Sequence, residues 1–168
     1  MMKINKKPTV IFSTIIIFFF ILQRIGRNYT INISNSLPRG LYKLESPQNL
    51  KKEDIIFFPI PNNIRELLRE RKYISPVINS FMKKVGAEYG DKIQIKNNIL
   101  YVNETAWGLM FTKDPRNNIL PILTIDELTP GYDEILPLSS ALYSFDGRYF
   151  GPIKRQEIKY KCILIFEF

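Results

Sequence analysis

From residue 29 onward no apolar stretch runs far before a proline, a glycine or a pair of asparagines breaks it. Pro59 and Pro61 stop one run, Gly90-Asp91 and Asn97-Asn98 bracket another, Pro115, Pro121 and Pro130 cut a third, and Gly147, Gly151 and Pro152 crowd a fourth. Proline has no amide proton for a ladder or a helix, and glycine and asparagine tolerate the backbone angles of tight turns. Such punctuation favours many short strands over long helices.

The pieces between the breaks fit that expectation. Residues 29–34 alternate, with Tyr29, Ile31 and Ile33 on one face of a strand that leads to Ser36. Leu41 and Leu44 open a second strand, 48–54 is a polar loop, and 55–58 is a short apolar strand. Ile64, Leu67, Leu68 and Arg71 fall at helical spacing, which predicts one helix over 64–72 capped by Asn62 or Asn63. In 77–87 the period returns to two: Phe81, Lys83 and Val85 share a face, and Met82 and Lys84 point the other way. Lys83 therefore sits on an apolar face. A hairpin over 92–96 and 99–102, an irregular surface excursion over 103–130, a strand at 134–136, a turn-rich stretch at 144–152 and a closing strand from 160 to 168 complete the reading. The fold class is mainly β, a barrel-like or sheet domain with one short helix.

Ahead of this domain, residues 8–22 are apolar apart from Thr9, Ser13 and Thr14, with Lys3, Lys6 and Lys7 before them and Arg24 and Arg27 after. Residues 1–27 read as a transmembrane anchor that contacts lipid, and 28–168 as the domain it tethers. Gln23-Arg24-Ile25-Gly26-Arg27 offers no small-x-small cleavage site, which speaks against a removable signal peptide. The small excess of basic residues before the span places the N-terminus in the cytoplasm and the domain beyond the membrane. The net charge of +8 comes from lysines and arginines spread along the chain, so no nucleic-acid partner is expected.

The chemistry is narrowed by what the 168 residues lack. There is no histidine, which excludes Ser-His-Asp and Cys-His mechanisms and histidine-ligated metals, and the single Cys162 can form neither an internal disulfide nor a Cys-x-x-Cys centre. No cofactor is expected. Ser36 stands beside the turn signal Pro38-Arg39-Gly40; as a nucleophile it would need a lysine or a carboxylate as its base, and a lysine serves only where burial lowers its pKa.

Three stretches stand in order behind the anchor: Ser36-Leu37-Pro38-Arg39-Gly40-Leu41-Tyr42, Met82-Lys83-Lys84-Val85-Gly86-Ala87-Glu88-Tyr89-Gly90-Asp91, and Ser144-Phe145-Asp146-Gly147-Arg148-Tyr149-Phe150-Gly151-Pro152. Together they resemble the signal peptidase superfamily of serine/lysine proteases, nearest to its conjugative-transfer, TraF-type branch. That resemblance implies a signal-peptidase-like β-domain in which Ser36 is the nucleophile, Lys83 the general base and Asp146 a further catalytic residue. It also implies that Ser144 orients the lysine, that Arg148 is structural and that Lys84 is the basic neighbour. Gly147, where the family usually has serine, and Glu88-Tyr89, where it often has an apolar residue and proline, depart from the pattern. The implied function is that of a bacterial inner-membrane endopeptidase, its catalytic domain periplasmic, that processes an exported precursor. A conjugative pilin is the implied substrate, with cyclisation of the product as an option. The competing readings are a general leader peptidase acting on secreted preproteins and a non-catalytic assembly subunit.

Overall fold

A computed structural model describes residues 16, 18, 19, 23, 24 and 26–168. The anchor expected over 1–27 lies largely outside the described residues, and among these no helix is long and apolar enough to cross a membrane.

The chain enters as β1 (Tyr29–Asn32) and β2 (Gly40–Glu45), continues through β3 (Ile55–Pro59) and helix α1 (Asn62–Glu70), and returns as β4 (Ser80–Glu88). A meander of β5 (Ile93–Lys96), β6 (Ile99–Val102) and β7 (Thr105–Leu109) follows. Helix α2 (Ile125–Leu128), β8 (Glu134–Leu138), α3 (Gly147–Phe150), β9 (Ile153–Lys154), a 3-10 turn (Arg155–Glu157) and β10 (Tyr160–Glu167) complete it. Seven strands form one sheet in the order β1-β2-β10-β3-β4-β8-β9, with β1 and β9 at its edges, and β5-β6-β7 form a second sheet of three.

The mainly-β expectation holds, but among the described residues of 28–168 three short helices stand where one was expected. α2 and α3 have four residues each, too short to show a 3.6-residue period. Only the capping box at Thr124 and Glu127 marks α2 in the sequence. α1 begins two residues earlier than its apolar spacing suggests: Pro61 occupies the N-cap without a side-chain bond, and Asn62 and Asn63 lie inside the helix. The excursion over 103–130 is also more ordered than expected, since β7 pairs antiparallel with β6 and buries Trp107. Gly108 in that strand faces Arg148, whose Nη1 would lie 2.6 Å from a Cβ at that position.

β8 runs two residues past the expected 134–136, through Pro137 to Leu138. A register shift between Val85 and Ala87 on β4 is what admits a proline in this inner strand, because a bulge removes the need for one ladder donor. Gly40 serves close packing rather than an unusual backbone angle: a Cβ there would lie 2.1 Å from the Phe166 carbonyl oxygen, where β10 crosses β2 at a second register shift.

Two apolar cores share β4 and β8. Ile56, Phe58, Ile64, Leu68, Val85, Ile135 and Phe150 pack β3, β4 and β8 against α1 and α3. Ala87, Leu100, Trp107, Leu128, Leu136 and Leu138 join the far ends of β4 and β8 to the three-stranded sheet and α2. Lys83 therefore lies on a strand that is paired on both sides and packed along its length, which holds its side chain in place.

Candidate active site

Ser36 is half-buried in the turn that joins β1 to β2. The turn is held from both sides. Leu37 is buried, the Tyr42 hydroxyl donates to the Pro38 carbonyl at 2.7 Å, and the Arg39 guanidinium donates to Asn35 Oδ1. The Ser36 hydroxyl lies 3.0 Å from that of Ser34.

Lys83 is only 4% exposed, and its face is the apolar one the alternation predicts. Its Nζ donates to Ser144 Oγ at 2.8 Å and sits 5.5 Å from the centre of the Phe81 ring. Burial pushes the amine down from 10.5 to about 8; the Asp146 carboxylate pulls it partly back up and the Arg148 guanidinium pushes it down. An amine in this range is half neutral near pH 8, so it can accept a proton.

Residues 139–146 bind the two halves together. Ser144 holds the Lys83 amine, and the Ser139 hydroxyl donates to the carbonyl oxygen of Ser36 at 2.5 Å. Beneath this loop lies the Asp146–Arg148 pair, both side chains fully buried. Arg148 Nε and Nη2 fork onto the two carboxylate oxygens at 2.8 Å each, and Asp146 also accepts from the amides of Arg148 and Ser139. The guanidinium then reaches the carbonyls of Leu109, Ser139, Ala141 and Ser144. A bidentate ion pair with its remaining donors satisfied can sit in a dry interior; here it fixes the backbone that carries Ser139 and Ser144.

Ser36, Lys83 and Ser144 line one cavity of about 980 Å³, together with Phe81, Phe111 and Tyr143. Asp146 and Arg148 lie behind its wall, and Asp146 reaches Lys83 through its field rather than through a hydrogen bond. Lys84, read as a supporting residue, is not in the cavity. Strand alternation turns it to the opposite face, where it pairs with Glu53 at 2.7 Å. Gly147 does not loosen the backbone: a Cβ there would stand 2.7 Å from the Pro137 carbonyl, so the close packing of α3 on β8 requires glycine. Glu88 and Tyr89 are likewise engaged, Glu88 with Arg155 at 2.6 Å and Tyr89 edge-on to Tyr132. Three further residues of the site, Asn32, Ser34 and Ser139, are not picked out by sequence reasoning.

The structure thus brings Ser36 and a buried lysine onto one cavity, and sequence comparison places the chain in a peptidase family. The model of the family described as "Signal peptidase, peptidase S26" matches residues 4–166, and the chain belongs to that family. A "Plasmid transfer protein TraF" of Escherichia coli is 32% identical over 136 residues, which is 76% of this chain and 77% of the relative. A second Escherichia coli protein of the same name is 31% identical over 137 residues, 77% of each chain. The crystal structure of a signal peptidase I from Enterococcus faecalis V583 superposes with a TM-score of 0.42 at 18% identity, covering 68% of this chain and 97% of that one, a distant likeness. The resemblance carried by the three motifs is borne out at the level of family and of TraF-type relatives.

Proposed function

We infer that this chain is a membrane-anchored serine endopeptidase in which Ser36 attacks and Lys83 takes the proton, and that it matures a conjugative pilin precursor beyond the inner membrane. The observation that carries this reading is the buried Lys83 amine, lowered to about 8, opening on the same cavity as Ser36. As the Ser36 oxygen bonds to the scissile carbonyl carbon, its proton passes to neutral Nζ, which then protonates the departing amine. The Ser36 amide and a neighbouring donor stabilise the oxyanion, and water or a second amine resolves the acyl ester. An amine would join the product's ends. β1, with Ile31 62% exposed, lies at the sheet edge, and its outer side offers a place for an extended substrate to pair. The plasmid-transfer relatives favour a transfer pilin over secreted preproteins at large.

The test is precursor processing by the full chain in detergent, with a pilin precursor set against unrelated signal-peptide substrates. Ser36→Ala and Lys83→Ala are expected to lower cleavage by about 10² to 10⁴ while the domain stays folded. Cleavage of many unrelated preproteins would favour a general leader peptidase. Retained cleavage in either variant removes the dyad, and cleavage of nothing by the parent protein leaves an assembly subunit.

A further inference from the structure

We propose that Asn32 is a positioning residue for the nucleophile, acting through the hydroxyl of Ser34; this rests on Ser36 being that nucleophile. Asn32 is the last residue of β1 and is only 7% exposed. Its Nδ2, with two hydrogens to donate, lies within hydrogen-bond distance of three carbonyl oxygens of the turn, those of Ser34 at 3.1 Å, Leu37 at 3.0 Å and Pro38 at 3.0 Å. Its Oδ1 accepts from the Ser34 amide at 3.1 Å and from the Ser34 hydroxyl at 2.8 Å. The amide orientation is forced, because turning it over would set an NH₂ against the Ser34 amide and an oxygen against three carbonyls.

This fixes the direction of a proton. A carbonyl-type oxygen only accepts, so the Ser34 hydroxyl spends its single hydrogen on Asn32. In the 3.0 Å contact between the two serines, Ser34 is then the acceptor and Ser36 the donor. The resting Ser36 hydroxyl is thus pinned to one rotamer by Ser34, just as the resting Lys83 amine is pinned by Ser144. A hydroxyl left to rotate would sample three staggered positions, whereas the bond to Ser34 holds the Ser36 oxygen in one, and its proton leaves Ser34 for Lys83 Nζ only as the oxygen attacks. Asn32 removes that freedom without touching the reacting atoms. No sequence pattern marks it, since an asparagine at a strand end reads as a turn former.

A double-mutant cycle in the full chain tests the proposal. Asn32→Ala and Ser34→Ala are each expected to lower kcat about ten-fold with KM within about two-fold, and Ser34→Thr, which keeps the hydroxyl, is expected to stay within about three-fold of the parent. Because Asn32 acts through Ser34, the double variant is expected to lose no more than about twenty-fold rather than the roughly hundred-fold of independent sites. The pH dependence of all four is expected to keep the midpoint set by Lys83. Additive losses, or Asn32→Ala at parental kcat, would overturn the proposal. A readout that needs no turnover separates it from the assignment of Ser36: hydrogen exchange at the Ser34 amide is expected to quicken at least about ten-fold in Asn32→Ala and not in Ser34→Ala. Unchanged exchange overturns the clamp whether or not the protein cleaves a precursor.

Discussion

Lys83→Met is expected to give a protein that cleaves no precursor and yet melts at a higher temperature than its parent below pH 8. The amine is held at about 8 in the folded chain against 10.5 when free, chiefly by burial. At about 1.4 kcal/mol for each pKa unit, keeping it charged near neutrality costs the fold about 3 kcal/mol. The sign follows from proton counts. Between about pH 8 and 10.5 the unfolded chain still holds the proton that the folded chain has lost, so stability rises with pH across that window. Below pH 8 both states hold it and the full penalty stands; above 10.5 neither does and the penalty is gone. Methionine fills a similar volume without charge, and the one bond given up is that to Ser144, at about 1 kcal/mol. The net gain of about 2 kcal/mol corresponds to about 5 °C at pH 6–7 for a chain of this size, shrinking towards pH 10.5. Thermal unfolding followed by circular dichroism in detergent checks this, and an equal or lower melting temperature at pH 6–7 would speak against a buried amine.

Asp146→Ala is expected to be the most damaging single substitution outside the nucleophile and base. It leaves a fully buried guanidinium without its carboxylate, and breaking such a pair from one side costs about 3–5 kcal/mol, a large share of a typical domain's stability. Melting should fall by about 10 °C. Activity should fall with it, because the same carboxylate holds the Ser139 amide and orders the loop that carries Ser139 and Ser144. If Asp146 worked only through its field on Lys83, the variant would keep its melting temperature and shift the pH dependence of cleavage downward, since the carboxylate raises the lysine's pKa. That outcome would reassign it from positioning to direct electrostatics.

The parts of this site that the sequence discloses are those written in local periods. Alternation across β4 is enough to put Lys83 with Phe81 and Val85 on an apolar face, and Asn97-Asn98, both at positive φ, are enough to mark the hairpin. The parts it conceals depend on contacts that exist only once distant segments meet or a turn closes. Ser139 donates to a carbonyl 103 residues earlier, and Asn32 meets its partners only once β1 turns into β2. Gly40 and Gly147 look like flexible turn residues, yet both are required by the close approach of another strand's carbonyl, which no local pattern encodes. Pro137 reads as the end of a strand because the bulge that accommodates it lies on β4.

The claim on which the mechanism turns is that folding lowers the Lys83 amine to about 8, so that a working fraction is neutral near physiological pH. Titrating the Lys83 side-chain resonance by NMR in full-length Ser36→Ala protein, identified by its loss in Lys83→Met, tests it without reference to any substrate. A midpoint near pH 8 is the result predicted here. A midpoint at about 10 or above, the value of a solvated lysine, would contradict it.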